Sequence, residues 1–286
     1  LAPPVIKATL PFNLPIFKYE QVNEILNGIQ ETLHKYGYSF IFLNVKEKHG
    51  IPVLDQKTLL SCKSFDGVIF FGTRFSRSEK INYSVNILKK NKIPFVLVNL
   101  PAIKEEVNQV IFKNSDNSSP VKYLLSLGHR NIVFVGGNRD SPQTREACHE
   151  MKKVYSEHGI TCDEKYILDG SYESFAASES LEKFIGEGHD FSAVYCLSML
   201  MTAGCYKTLK SKGYKIPDDI SIIGYGDTYY TELLEPPLTA VHPQLESGGE
   251  RAAHLLIQRI QNNETERYEK IVLENHLVIR RSTKVF

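Results

Sequence analysis

The sequence predicts an α/β protein built from two doubly wound, parallel-sheet subdomains. Three observations carry this. Short apolar runs alternate with stretches of helical periodicity along the chain. The alternation starts again at Gln109, so two units of similar size follow one another rather than one large sheet. The residues from Pro236 to Phe286 then add only one amphipathic helix and one strand. That is too little for a domain, so this stretch packs back onto the units already formed, and the chain crosses between them on several strands.

The elements follow in order. Val5 to Leu10 is a short apolar strand. Tyr19, Val22, Ile25, Leu26, Ile29 and Leu33 fall at steps of three and four, and Gly37 ends that helix. Phe40 to Val45 is a strand, and a helix is expected near Leu54 to Cys62. Asp66 to Phe71 is a strand, Glu79 to Asn91 a helix, and Phe95 to Val98 a strand restarted by Pro94.

The second run begins with the strand Gln109 to Phe112 and the helix Ser119 to Leu127. The strand Ile132 to Val135 runs into Gly136-Gly137, and the helix Thr144 to His158 ends at Gly159. Tyr166 to Leu168, Ala193 to Cys196 and Ile220 to Ile223 are strands. Phe175 to Glu187 and Leu200 to Lys212 are the helices between them. The tail holds a helix marked by Leu245, Ala252, Leu256 and Ile260, and one strand from Ile271 to Ile279.

Composition narrows the function. With 34 Lys+Arg against 33 Asp+Glu the formal net charge is +1, which argues against a chain whose whole surface binds nucleic acid. At 42% hydrophobic residues the chain is not disordered. No apolar run reaches membrane-spanning length, and no signal peptide is visible at the N-terminus. The five cysteines, Cys62, Cys148, Cys162, Cys196 and Cys205, are scattered without a CxxC, as expected for reduced thiols of a cytoplasmic protein.

No cofactor, metal or catalytic set is expected. The chain holds no P-loop, GxSxG, HExxH or strand-borne GxGxxG. His129 and His242 read as capping or hydrogen-bonded histidines. Ligands of open α/β sheets bind beyond the carboxyl ends of the strands. With two such units the loops from Leu10 to Lys18, Gly72-Thr73-Arg74, Gly136 to Gln143, Leu197-Ser198 and Gly224 to Asp227 would line a cleft between them. Asn13 and Thr73 belong to that expectation, as does Arg145 in the first turn of its helix.

Several segments resemble the lactose/galactose repressor family of bacterial transcription regulators. Gly128-His129-Arg130-Asn131-Ile132-Val133-Phe134-Val135-Gly136-Gly137 is similar to its GHrrIa-igg segment. Ile216-Pro217-Asp218-Asp219-Ile220 to Tyr225 is similar to IPdDisvvGf, and Pro236 to Val241 to PPLTTV. Asp66 to Ile69 resembles the DGiI strand, and Ile279-Arg280-Arg281-Ser282-Thr283 the terminal vvReST. The order and spacing agree over essentially the whole chain.

The resemblance implies a periplasmic-binding-protein-like type I fold with three crossover strands. Its subdomains would comprise 1–112 plus 242–273, and 113–241 plus 274–286. It implies a non-enzymatic, cytoplasmic homodimer that senses a small effector, commonly a carbohydrate. Operator DNA would be read by a helix-turn-helix domain absent from this chain. An effector would shift the balance between two arrangements of the subdomains. A transporter's solute-binding protein shares the fold and is the alternative.

Carried over residue by residue, Arg145 matches the effector-binding arginine, whose planar fork suits vicinal hydroxyls or a carboxylate. The Asn-Asp pair after the Ala193 strand falls on Ser198 and Met199. The first aspartate of GfDD falls on Gly226 and the second on Asp227. The aromatic pair opening the first helix falls on Gln21 and Val22, with Tyr19 nearby. The long Leu10 to Lys18 loop resembles the maltose-operon branch.

Overall fold

A computed structural model describes residues 4–11, 20–45, 65–71, 78–99, 106–113, 118–262 and 268–286. It divides into two compact units, Leu1–Phe112 with Gln244–Leu273, and Lys113–Pro243 with Glu274–Phe286. The chain therefore passes from one unit to the other three times.

The first unit holds strands β1 (Val5–Pro11), β2 (Ser39–Val45), β3 (Gly67–Phe71), β4 (Phe95–Val98), β5 (Gln109–Lys113) and β11 (Lys270–Glu274). Their order in the sheet is β11-β5-β4-β3-β1-β2. β1 pairs in parallel with both β2 and β3. Helices α1 (Glu20–Lys35), α2 (Ser78–Lys90) and α8 (Leu245–Asn262) belong to this unit. The periodic residues Ile25, Leu26, Ile29 and Leu33 of α1 are all buried, and His34 and Lys35 complement the negative end of the helix. Two glycines let α1 and α8 cross closely. A Cβ on Gly28 would fall 2.0 Å from the Glu246 carbonyl oxygen, and one on Gly249 would fall 2.1 Å from that of Ile25.

The second unit holds β6 (Ile132–Gly136), β7 (Ile167–Asp169), β8 (Ala193–Cys196), β9 (Ser221–Tyr225), β10 (Thr239–His242) and β12 (His276–Val278), ordered β12-β10-β9-β8-β6-β7. Helices α3 (Ser118–Ser126), α4 (Pro142–Glu157), α5 (Ser174–Gly186), α6 (Met199–Ser211) and α7 (Tyr229–Leu233) connect them. Every residue of β6, β8 and β9 is buried. Strands covered on both faces read as unbroken apolar runs, which is why they stand out in the sequence. The rings of Phe134 and Tyr195 pack 5.6 Å apart on neighbouring strands.

The structure corrects the sequence reading in three places. The single strand expected from Ile271 to Ile279 is two strands, β11 and β12, in different sheets, parted at Asn275. Apolar alternation runs through the break, so periodicity does not reveal it. Thr239–His242, read only as part of a motif, is strand β10, between β9 and β12. β12 runs antiparallel to β10, so this sheet is not wholly parallel. The helix expected near Leu54 to Cys62 lies outside the described residues. Among the described residues no helix is long and apolar enough to cross a membrane.

Candidate functional site

The candidate site is the carboxyl edge of the second unit's sheet. There β6, β8 and β9 end side by side, with Val135 opposite Cys196 and Cys196 opposite Gly224. Three loops leave that edge, and each places one of the residues singled out in the sequence.

The loop after β6 leads into α4. Ser141 caps the helix: its Oγ accepts from the Thr144 amide at 3.2 Å and donates to Thr144 Oγ1 at 2.8 Å. Pro142 opens the helix, where its missing N–H costs nothing. This cap fixes the first turn, and Arg145 stands on that turn with its side chain exposed. Among the described residues its guanidinium makes no hydrogen bond or ion pair.

The loop after β8 leads into α6. Ser198 is the helix cap: its Oγ accepts from the Met201 amide at 3.3 Å, while its carbonyl accepts from Thr202. The Ser198 hydroxyl is half-buried and keeps its own proton to donate.

The loop after β9 contains Gly226 and Asp227. Gly226 has φ +102, a left-handed backbone that favours glycine, and its amide donates to Val241 at 3.0 Å. Asp227 keeps only 10% of its side chain exposed. Arg280 forks onto it, with Nη1 donating to Oδ1 at 2.6 Å and Nη2 to Oδ2 at 3.2 Å. Thr231 Oγ1 also donates to Oδ1, at 2.7 Å, and His242 Nδ1 stands 3.7 Å from Oδ2. Burial alone would raise the Asp227 carboxyl. The donors His242, Arg280 and Thr231 and the Arg280 charge outweigh it and hold the group well below the ordinary carboxylate range. Both oxygens expected to face an effector are thus engaged by the protein itself.

The same terminal segment explains two other motif residues. Ser282 Oγ accepts from the Thr239 amide at 2.8 Å and donates to the Ile222 carbonyl at 2.6 Å, stitching β9 to the start of β10. His129 lies buried, with Nδ1 2.9 Å from Ser192 Oγ and Nε2 3.1 Å from the Lys284 carbonyl.

Of the remaining sequence-predicted residues, Asn13, Tyr19 and Thr73 lie outside the described residues. Gln21 is on α1, and its side chain is not described. Val22 is half-buried against the first unit's core. Sequence reasoning missed Arg280 as the partner of Asp227 and missed the pairing of His242 with His276. Neither has a local signal, because each pair joins strands distant in the chain. Among the described residues no group of three His, Cys, Asp or Glu is placed to hold a metal ion. The described cysteines, Cys148, Cys162, Cys196 and Cys205, are free thiols.

The periplasmic binding protein-like domain matches residues 121–283. The "HTH-type transcriptional repressor PurR" of Vibrio atlanticus is 28% identical over 266 residues, covering 91% of this chain and 76% of its own. The Escherichia coli transcriptional repressor ascG superposes with a TM-score of 0.82 at 20% identity, covering 98% of this chain and 99% of its own. A LacI family transcriptional regulator from Enterococcus faecium, solved with bound ribose, gives a TM-score of 0.79 at 23% identity, covering 99% of each chain. Such regulators are not enzymes. The chain belongs to the periplasmic binding protein-like family, as the effector-binding domain of a LacI-family transcriptional regulator.

Proposed function

We propose that this domain senses a small carbohydrate and that Arg145 is its principal effector contact. The observation that carries the reading is the state of Arg145. It is an exposed, unpartnered guanidinium fixed by the Ser141 cap at the carboxyl edge of the sheet. A planar fork of donors suits vicinal hydroxyls or an effector carboxylate. Ser198, next along that edge, supplies a second hydroxyl. Asp227 contributes indirectly, since Arg280 and Thr231 already hold its carboxylate. The ribose bound to the Enterococcus faecium regulator favours the carbohydrate class. The domain works in the cytoplasm as a homodimer, and a helix-turn-helix segment carries the operator contact.

Thermal shift against mono-, di- and oligosaccharides, their phosphates, and nucleobases and nucleosides tests this. A ligand that binds only the folded state adds about 2.7 kcal/mol at a hundredfold excess over its dissociation constant. The expected result is a carbohydrate hit that disappears in Arg145→Ala. A nucleobase hit alone overturns the carbohydrate class. A hit unchanged by Arg145→Ala overturns the assignment of that residue.

A further inference from the structure

The strands by which the chain leaves the second unit carry a facing histidine pair. His242 ends β10, and the chain crosses to the first unit one residue later, after Pro243. His276 opens β12, two residues after the chain returns at Glu274. The two histidines are register partners in the antiparallel pairing, with ring centroids 4.8 Å apart. Asp227 Oδ2 lies 3.7 Å from His242 Nδ1 on the side away from this pairing partner's strand order, in the loop after β9. Arg280 fixes that carboxylate and also donates to the Leu238 carbonyl at 3.0 Å, while its amide donates to Thr239 Oγ1 at 2.9 Å. One arginine thus ties the loop after β9 to the start of β10, and its carboxylate partner faces the end of β10.

We infer that Asp227 is a positioning residue: it ties the loop after β9 to the crossover strands through Arg280 and His242, and the tie holds while the His242–His276 pair carries no more than one proton. The first proton settles on His242, beside the Asp227 carboxylate. A second would place two cations in neighbouring rings at the first register pair of β10 and β12, and the two titrations are coupled. The surrounding polar and charged groups give the second proton no new anion. Glu232 of α7 lies 3.4 Å from Arg280 Nη2, and Arg280 is itself a cation. Tyr225 of β9 accepts from Asn275 Nδ2 at 3.3 Å, and Glu274 precedes that asparagine in the chain. The device needs no effector, so it stands or falls separately from the carbohydrate reading.

The test is an NMR titration of the His242 and His276 rings between pH 5 and 8 in the free domain, with amide exchange followed in β10 and β12. Two separated midpoints are expected, with the β10 and β12 amides exchanging at least tenfold faster, after correction for intrinsic rates, below the lower one. Asp227→Asn should move the His242 midpoint down by about one pH unit, and His276→Gln should move it up. His276 is exposed, so that variant keeps the test decisive if Asp227→Asn fails to fold. A His242 midpoint that stays in place in the variants overturns the inference, as do β10 and β12 amides indifferent to pH.

Discussion

The imidazole of His129 meets the Lys284 carbonyl at 3.1 Å, and through it the α3–β6 turn holds the end of the chain. Phe286 lies against the same ring at a centroid distance of 5.4 Å, and its amide donates to Leu127 at 2.8 Å. Burial pushes the His129 imidazole below its ordinary range, and the Lys284 carbonyl opposes this only in part. Folded protein therefore keeps His129 neutral at a pH where the unfolded chain takes up a proton. The stabilisation is complete above the unfolded value, roughly pH 6.5, and is lost as the pH falls towards the folded value. One such proton changes the unfolding free energy by at most about 1.4 kcal/mol per pH unit. Urea unfolding of wild type and His129→Gln from pH 5 to 8 should show the variant less stable at neutral pH. Its deficit should narrow in acid. A deficit independent of pH would remove the titration argument.

The α1–α8 crossing gives a steric prediction. A methyl group on Gly249 or Gly28 has a backbone carbonyl in its place, and neither helix can yield without separating from the other. Overpacking of this kind costs about 1–3 kcal/mol or more. Gly249→Ala should lower the melting temperature clearly. Gly186→Ala, at the open end of α5, meets nothing within 4 Å and should be neutral or slightly stabilising. Equal effects at the two positions would mean that α1 and α8 are not in close approach.

Ser282 is wholly buried and makes one hydrogen bond as acceptor and one as donor. Ser282→Ala leaves the Thr239 amide and the Ile222 carbonyl without that hydroxyl. An orphaned buried group costs about 1–3 kcal/mol. Denaturant unfolding should show a loss in that range, and Ser282→Thr should retain part of the stability.

Arg145→Ala should separate binding from folding. An exposed side chain with no partner contributes within about 0.5 kcal/mol to stability, so the melting curve of the free domain should hardly move. Calorimetry with a hit from the carbohydrate panel should show affinity lower by tenfold or more. A variant that melts early but binds normally would reverse the assignment.

Much of the fold was legible in the sequence because it rests on local signals. The three- and four-residue spacing of Val22, Ile25, Leu26, Ile29 and Leu33 is one face of α1, and the unbroken apolar runs are the buried parallel strands. The tail was harder. Thr239–His242 is a four-residue strand behind a Pro-Pro pair, and its partners lie in β9 and β12. The site divides in the same way. The position of Arg145 follows from a helix start visible in Ser141-Pro142. The engagement of Asp227 depends on Arg280, 53 residues further on, and only the sheet order brings them together. A residue type at a motif position does not say whether its charge faces a ligand or another residue of the protein.

The threefold crossing also bears on biosynthesis. The first unit needs residues 244–273 to supply α8 and β11, and the second needs residues 274–286 for β12 and the Ser282 stitch. Neither sheet can be completed while the other is still awaiting chain from the ribosome. Although domains commonly fold one after another from the N-terminus during synthesis, these two close within the last few dozen residues, nearly together. Until then β5 and β10 each lack a neighbour strand, and the nascent chain presents open sheet edges for most of its time in translation.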